Sequence, residues 1–198
     1  MIKIYGSPLS SAGRCLWLLE ELGAEYECIE VNLRDPEARA KYVAEVFPGG
    51  KLPYLVDGEV RLFESMAING YLAAKYRPEL VPSDLVQRAL CDQWTFWALS
   101  NLQPEAYKVL MHGTYLPEAQ RNPKELENGR AGCARFLAQL EEAMEHDYLL
   151  GNSFTLADIN CGSVAHLAMR AGATLGPKTN AWMERLRARP AVIKIYQL

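Results

Sequence analysis

The chain has 198 residues, of which 49% are hydrophobic and 23% charged, and its formal net charge is −3 at pH 7. This composition is typical of globular proteins with a substantial core, and the small negative charge excludes a broad attraction to nucleic acid or anionic lipid. Apolar runs stay well below the roughly 20 residues that cross a bilayer, and Gly6 and Pro8 interrupt any signal-like N-terminus. We therefore expect a cytoplasmic protein that binds neither membranes nor nucleic acids.

Strand and helix patterns alternate through the first 77 residues. In chain order, the predicted elements are a strand at residues 2–5, a helix at 12–22, a strand at 26–33, a helix at 34–44, strands at 52–56 and 60–63, and a helix at 65–75. Gly23 ends the first helix, and Asp57-Gly58 joins the last two strands as a hairpin. The order β-α-β-α-β-β-α indicates a mixed sheet with helices on its faces.

Only helical patterns follow a linker that contains two prolines. The linker covers residues 78–84 and separates an α/β domain at residues 1–77 from an all-helical bundle at residues 85–198. The predicted helices of this second domain lie at residues 84–112, 123–145, 155 onward and 178–189, and a bend or break is expected at Pro104. Thr155 and Asp158 form a capping-box pattern, which we interpret as a folding signal and not as a site.

The cysteines and histidines give no metal or disulfide motif. The five cysteines stand at positions 15, 28, 91, 133 and 161, are widely spaced and form no C-x-x-C. The three histidines, at positions 112, 146 and 166, neither pair with each other nor flank a cysteine. We therefore expect free, mostly buried thiols and no metal site.

Lys51-Leu52-Pro53 stands where the third strand begins. Proline is tolerated at the first residue of a strand because it has no N–H to donate. If the Leu52–Pro53 bond is cis, the backbone of Leu52 turns outward and can pair with an extended peptide, as in strand addition. The alternative is an ordinary trans proline at a strand edge, and the local sequence leaves both open.

Glu64-Ser65 stands between the fourth strand and the third helix. We predict Ser65 as the N-cap of that helix, whose first N–H groups lack acceptors and favour an anion. A ligand carboxylate fits this helix start, and Glu64 beside it fits a ligand ammonium group. Simple helix capping without a ligand remains the alternative reading.

Two serines stand at the start of the first helix, after the first strand. In a thioredoxin-type sheet this position holds a reactive C-x-x-C, whose thiolate the helix N-terminus stabilises. Here the residues are Ser10-Ser11-Ala12-Gly13. A hydroxyl cannot cycle through a disulfide, but it can donate a hydrogen bond to the thiolate of a ligand.

These features together resemble the glutathione transferases, specifically the serine-type branch that includes theta, phi and many bacterial members. The residues that carry the resemblance are YGSPLSSAGR, GGKLPYLVDGEVRLFESMAINGYLAAKY, QWTFWALSNLQPEAY and GNSFTLADI, which span nearly the whole chain in the family's order. The resemblance implies a thioredoxin-like domain followed by a helical domain. It also implies glutathione as co-substrate, no metal, and a homodimer.

The resemblance assigns a catalytic role to one hydroxyl. Ser10 follows Pro8-Leu9 and precedes Arg14 by four residues, so it matches the serine that activates the thiol of glutathione. Ser11 is the alternative, because the length of this loop differs between classes of the family.

Further residues match the family's glutathione-binding positions, and they are Ser11, Arg39, Lys51, Leu52, Pro53, Glu64 and Ser65. Leu52, before the family's cis-proline, would pair with the cysteinyl part, and Glu64 with Ser65 would hold the γ-glutamyl end. Lys51 and Arg39 would face the glycine carboxylate. The turn before Lys51 departs from the family pattern, since residues 46–50 read VFPGG, and this affects the assignment of Arg39 most.

The implied activity is transfer of the glutathione thiolate to a hydrophobic electrophile. Aromatic and sulfur side chains of the helical domain are either walls of the electrophile site or packing residues, and they are Trp94, Trp97, Tyr107, Met111 and Tyr115. Two alternatives stay open: a glutathione-dependent peroxidase or isomerase on the same site, and a non-catalytic binding or regulatory protein. A thiol-disulfide reductase would require a cysteine at position 10.

Overall fold

The computed structural model describes residues 1–197, which form two compact units. One unit holds Met1–Leu80 together with the chain from Arg189 onward, and the other holds Val81–Ala188. The sequence-based division placed everything after residue 84 in the helical domain, so the last helix differs from that expectation. Ion pairs join this last helix to the first helix, between Arg189 and Glu21 and between Lys194 and Glu20. Such distant pairs cannot be predicted from a local sequence pattern.

The first unit contains four strands and four α-helices among the described residues. Its elements are β1 (Ile2–Tyr5), α1 (Gly13–Leu22), β2 (Tyr26–Ile29), α2 (Pro36–Glu45), β3 (Tyr54–Asp57), β4 (Val60–Phe63), α3 (Ser65–Tyr76) and α9 (Pro190–Tyr196). The sequence predicted the first seven, with β2 shorter than expected and β3 starting two residues later. It does not predict α9, because a proline after residue 189 indicates the end of a helix, whereas Pro190 is the first residue of the next one.

The four strands form one mixed sheet in the order β2-β1-β3-β4. β1 runs parallel to β2 and antiparallel to β3, and β3 and β4 form an antiparallel hairpin. The thioredoxin-like fold predicted from the sequence is confirmed. The core under the sheet contains Ile4 and Leu55, both fully buried, and α1 contributes Leu18 and Leu19 to it.

The hairpin is tied to α3 through Asp57. Its Oδ2 accepts hydrogen bonds from the hydroxyls of Tyr71 and Tyr76, at 2.8 and 2.7 Å, and from Nζ of Lys75 at 2.7 Å. These donors hold the pKa of Asp57 below its usual value although its partial burial acts in the opposite direction. Gly58 makes the turn with φ +59°, a conformation that glycine adopts without steric cost.

Helices build the second unit. Its α-helices are α4 (Leu85–Trp97), α5 (Gln103–Leu110), α6 (Pro123–Ala143), α7 (Leu156–Arg170) and α8 (Pro177–Arg187). We expected a bend or break at Pro104, but the helical residues continue through this position without a break. A π-helical turn at Ala98–Leu102 connects α4 with α5 and widens the helix just before the proline ring, whose missing N–H would otherwise disturb a regular α-helix.

The start of α7 confirms the capping box. Thr155 is the N-cap, and Asp158 is fully buried. Asp158 Oδ2 accepts from the backbone N–H and the hydroxyl of Thr155 at 2.8 and 3.0 Å, while Oδ1 accepts from Leu149 N and Trp182 Nε1, both at 2.9 Å. One carboxylate therefore joins the helix start to a loop and to α8.

Candidate active site

Three loops meet at one edge of the sheet in the first unit. Tyr5, the last residue of β1, pairs with Tyr54, the first residue of β3, and Tyr54 pairs with Phe63, the last residue of β4. Because these three residues lie in one row across the sheet, the segments beside them must lie at the same edge. Those segments carry the predicted site residues Ser10 and Ser11, then Lys51 to Pro53, and finally Glu64 and Ser65.

Ser10 organises the loop between β1 and α1. Its hydroxyl accepts hydrogen bonds from the N–H groups of Ala12 and Ser7, at 3.1 and 3.2 Å, and donates to the carbonyl of Ser7 at 2.8 Å. The Ser10 side chain is half-buried. A hydroxyl that receives two N–H donors is polarised towards donation, and a turn about its C–O bond moves its hydrogen from the Ser7 carbonyl to another acceptor.

The close approach around Ser10 depends on Gly6. A Cβ at Gly6, which has φ +145°, would lie 2.4 Å from Cβ of Ala12 and 3.2 Å from the Ser10 hydroxyl. Only glycine fits this conformation and this contact. Ser11 is also half-buried, so both predicted hydroxyls lie in the same loop.

The loop before β3 is fixed by an aromatic anchor. The buried Tyr42 of α2 donates its hydroxyl hydrogen to the carbonyl of Lys51 at 3.0 Å. The Leu52–Pro53 peptide bond is cis, as the resemblance implied. Because β3 begins at Tyr54, the backbone of Leu52 lies outside the strand ladder.

Phe47 packs against the sheet beside this loop. Its ring stacks on Tyr54 with centroids 4.7 Å apart and on Phe63 with centroids 5.3 Å apart. A Cβ at Gly49 would lie 2.4 Å from the Phe47 ring, so the glycine allows the chain to pass over it. The sequence analysis identifies neither Phe47 nor Tyr42 as part of the site. For Phe47, its place shortly before the pair Gly49-Gly50 is a signal that could have indicated this packing.

The start of α3 differs from its prediction in one detail. Glu64 and not Ser65 is the N-cap residue, and no side chain caps the helix. Ser65 is the first helical residue, it is buried, and its hydroxyl has no hydrogen-bond partner among the described residues. The first N–H groups of α3 therefore remain without side-chain acceptors, which suits a bound carboxylate.

Glu64 has a backbone conformation that side chains rarely adopt. Its φ is +67° and its ψ is 108°, and its carboxylate is exposed to solvent. Positive φ at a residue other than glycine stores local strain, which is concentrated at functional sites in proteins. The strained backbone therefore supports Glu64 as a candidate binding residue.

Two helices connect the serine loop with the start of α3. The thiol of Cys15, one turn inside α1, donates to the carbonyl of Ser65 at 3.3 Å, and the amide of Asn69 donates to the carbonyl of Arg14 at 3.3 Å. Burial raises the pKa of Cys15 to about 12 despite the charge of Arg14. This thiol therefore stays protonated and packs as a structural group, in line with the exclusion of a reductase.

The predicted cations of the site are exposed. Lys51 lies in the anchored loop, and Arg39 lies on α2 one turn before Tyr42. Among the described residues no hydrogen bond or ion pair of the Arg39 side chain joins it to the other site residues. Arg39 is therefore the candidate that the structure connects least with the site.

The candidate electrophile residues of the second unit are partly packed. The rings of Trp94 and Trp97 meet edge to face at 5.0 Å, and Trp97 Nε1 donates to Gln139 at 3.0 Å. Met111 and Tyr115 are 37% and 41% exposed. The first pair matches the packing alternative, whereas the second pair remains available to a ligand.

Comparison with known proteins identifies the family. The model of the N-terminal glutathione S-transferase domain matches residues 1–74, and the model of the C-terminal domain matches residues 106–190. Glutathione S-transferase 4 of Zea mays is 31% identical over 205 residues, covering 99% of this chain and 92% of that protein. The chain belongs to the glutathione S-transferase family.

Solved structures agree with this assignment. The theta class glutathione S-transferase of Xanthomonas axonopodis pv. citri, solved with glutathione bound, superposes with a TM-score of 0.86 at 33% identity and covers 100% of this chain and 97% of that one. The beta-etherase LigF of a Sphingobium strain has a TM-score of 0.85, covering 99% and 98% of the two chains, but at 24% identity it shows the fold alone. The assignment of the sequence to the glutathione transferase enzymes is confirmed.

Within residues 1–197, every helix is too short or too polar to span a bilayer. No group of three histidine, cysteine or acidic side chains in that range is arranged to hold a metal ion.

Proposed function

We propose that this family member binds glutathione at the sheet edge described above and transfers its thiolate to a hydrophobic electrophile. The observation that carries the proposal is that the segments with the polarised Ser10 hydroxyl, the Leu52 backbone and the uncapped start of α3 all adjoin one edge of the sheet. These groups offer what a tripeptide with a thiol, a backbone and a charged amino-acid end requires.

Each part of glutathione has a proposed contact. The α-carboxylate of the γ-glutamyl group accepts from the first N–H groups of α3 and from the Ser65 hydroxyl, while Glu64 accepts from its ammonium group. The cysteinyl backbone pairs with Leu52 in the manner of an added strand. Lys51, with Arg39 as the weaker candidate, attracts the glycine carboxylate.

Ser10 donates a hydrogen bond that favours the thiolate. A free thiol has a pKa of about 8.5, so lowering it by about two units requires about 2.7 kcal/mol of differential stabilisation. A hydrogen bond to a charged group contributes about 1.5–3 kcal/mol, and the N-terminus of α1 contributes about 0.3–1 kcal/mol. Together they are of the required size. The thiolate then attacks the electrophile, its sulfur forms the new bond, and the leaving group departs with the electron pair.

The proposal extends to assembly and compartment. Leu85, Val86 and Phe96 of α4 are 82%, 65% and 65% exposed, which supports an apolar contact with a second copy of the chain. A homodimer should be visible by analytical ultracentrifugation. The five cysteines are free, which supports the reducing cytoplasm as its compartment.

The test replaces one hydroxyl at a time. Ser10→Ala should lower kcat/KM for conjugation of glutathione to 1-chloro-2,4-dinitrobenzene about tenfold or more, since removal of a charge-assisted hydrogen bond costs at least about 1.5 kcal/mol. The ultraviolet absorbance of the bound thiolate, followed against pH, should show its pKa moving up. Ser7→Ala is the matched control, because Ser7 contributes only backbone groups to the loop.

The outcomes separate the hypotheses. An unchanged Ser10→Ala with an impaired Ser11→Ala would move the role to Ser11. Turnover of cumene hydroperoxide or of isomerisable substrates in place of the chloroarene would favour the peroxidase or isomerase alternative. Glutathione binding by calorimetry without turnover of any of these would favour a binding protein, and absence of binding would refute the proposal.

A further inference from the structure

A cavity of about 260 Å³ lies within the second unit, outside the residues assigned to glutathione. It is bounded by α5, by the middle of α6 and by the chain that follows α7. Val109 and Cys133 form its buried floor, at 6% and 2% exposure, while Arg130, Ala134 and Thr174 are exposed at its mouth. The cavity is thus apolar inside and polar at one rim.

The floor of the cavity is uncharged. Burial and the neighbouring Glu105 raise the pKa of the Cys133 thiol to about 11, so the thiol stays protonated and presents a soft apolar surface. Glu105 itself forms an ion pair with Lys108 at 3.0 Å. The apolar floor offers water no strong hydrogen-bond partner and therefore favours hydrocarbon.

The chain after α7 holds the cavity open. Gly172 turns the backbone with φ +85°, and a Cβ placed there would meet nothing within 4 Å. The N–H groups of Gly172 and Ala173 donate to the carbonyls of Met169 and Ala168 at 2.9 and 3.0 Å. The loop is therefore fixed by the end of the helix and does not fill the space beside it.

Arg130 lies at the mouth, and its side chain is exposed to solvent. Its guanidinium forms no ion pair or hydrogen bond with another described residue. Glu127, one turn earlier on α6, is instead paired with Lys124 at 3.0 Å. A guanidinium free of partners presents a planar fork that matches a carboxylate.

We propose that this cavity binds a small apolar carboxylate with about one ring or a branched chain of similar size. Its hydrocarbon part lies on Val109, Cys133 and Ala134, and its carboxylate accepts hydrogen bonds from Arg130 and the Thr174 hydroxyl. The size fits, because a cavity of about 150 Å³ holds benzene, and 260 Å³ leaves room for a ring with a short acid side chain.

The test titrates the full-length protein with 3-phenylpropionate by calorimetry, beside the neutral 3-phenylpropionamide. We expect saturable binding of the acid and binding of the amide that is about tenfold weaker, because the amide loses the charge-assisted contact. Arg130→Gln should weaken binding of the acid about tenfold and remove the preference over the amide. Ala134→Phe should fill the mouth and abolish binding of both compounds.

Arg135→Gln on the same helix is the matched control. Arg135 does not line the cavity, and its guanidinium instead lies over the ring of Phe136 at 4.4 Å. This variant should bind as the unmodified protein does, and thermal melts should show that all three variants fold.

Four results would overturn the inference. These are no saturable binding of the acid up to its solubility, equal affinities for acid and amide, normal affinity in Arg130→Gln, and displacement of the acid by saturating glutathione. The last would place the ligand in the active site. Since the probe needs no glutathione to bind, failure of the proposed transferase activity leaves this test intact.

Discussion

The N-terminal ends of α7 and α3 each have an acidic side chain, but the two side chains differ in burial and in hydrogen bonding. At α7 the Asp158 carboxylate is fully buried and accepts from four donors of Thr155, Leu149 and Trp182. At α3 the N-cap Glu64 is exposed, strained in its backbone and makes no capping bond. Both helices begin with first-turn N–H groups that lack intrahelical partners, but only at α7 is the N-cap residue itself bonded to a buried carboxylate of the same helix.

This difference in hydrogen bonding separates a helix start that stabilises the fold from one that can bind a ligand. At the closed start of α7 the carboxylate is used up by donors of the chain itself, so it adds stability and is not available to a ligand. An open helix start lowers stability and keeps its donors for a molecule from outside. The Ser10 loop is an intermediate case. The Ser10 hydroxyl forms hydrogen bonds within the loop, but it can rotate to donate its hydrogen to a ligand.

The largest effect is expected at the closed start. Asp158→Ala should lower the free energy of unfolding by about 3 kcal/mol or more, since Trp182 Nε1 and the Leu149 N–H lose their buried acceptor. Asp158→Asn keeps the volume and should still destabilise, because either orientation of the amide turns an NH2 group towards two donors. Urea unfolding measures both. A loss below about 1 kcal/mol for both variants, no larger than that of the exposed Asp147→Ala, would contradict this reading.

Glu21, near the C-terminal end of α1, is a second carboxylate that is held by donors of the chain itself. Arg189, at the start of α9, donates two hydrogen bonds to the carboxylate of Glu21, at 2.6 and 2.7 Å, and Trp17 Nε1 donates to it at 3.0 Å. Burial acts to raise the pKa of Glu21, but these donors hold it below its usual value. We expect Arg189→Gln to lower the free energy of unfolding by about 2 kcal/mol at pH 7.

The pH dependence of this contribution has a definite sign. A carboxylate whose pKa is lower in the folded state stabilises the protein above its unfolded pKa of about 4.3, and the stabilisation is lost as the pH falls through the folded value. The difference between the unmodified protein and Arg189→Gln should therefore shrink below about pH 4. A difference that stays constant down to pH 3 would show that packing and not charge holds α9.

These contacts mark what the sequence could and could not predict. Gly23, Asp35-Pro36, Asp57-Gly58 and the Thr155 box act within a few residues, so their elements were predicted from local patterns. The docking of α9 rests on pairs 168 and 174 residues apart in the chain, which no local pattern reveals. The site residues came from resemblance to a family, and the backbone strain at Glu64 became visible only in the structure.

A smaller effect, with a different readout, is expected at the open start. Glu64→Gln should weaken glutathione binding about fivefold, because the ammonium group of the ligand loses a charged acceptor at an exposed position. Glu64→Gly should weaken binding further and yet leave the free energy of unfolding equal or higher, since glycine adopts φ +67° without strain. Calorimetry and urea unfolding give the two quantities. A marked loss of stability in Glu64→Gly would remove the contrast with Asp158.

The smallest effect is expected at the start of α2, which is closed but exposed. Asp35 Oδ1 accepts from the N–H groups of Glu37 and Ala38 at 2.9 and 3.3 Å, at the surface. Asp35→Ala should lower the free energy of unfolding by about 0.5–1 kcal/mol, and Asp35→Asn, which keeps a side-chain acceptor, by less. The donors at α2 can turn to water, whereas those at α7 cannot, so burial and not the number of capping bonds should set the ranking. If Asp35→Ala destabilised the protein as much as Asp158→Ala, the free-energy cost of losing a capping carboxylate would not depend on access to water. The distinction between closed and open helix starts would then rest on backbone strain alone.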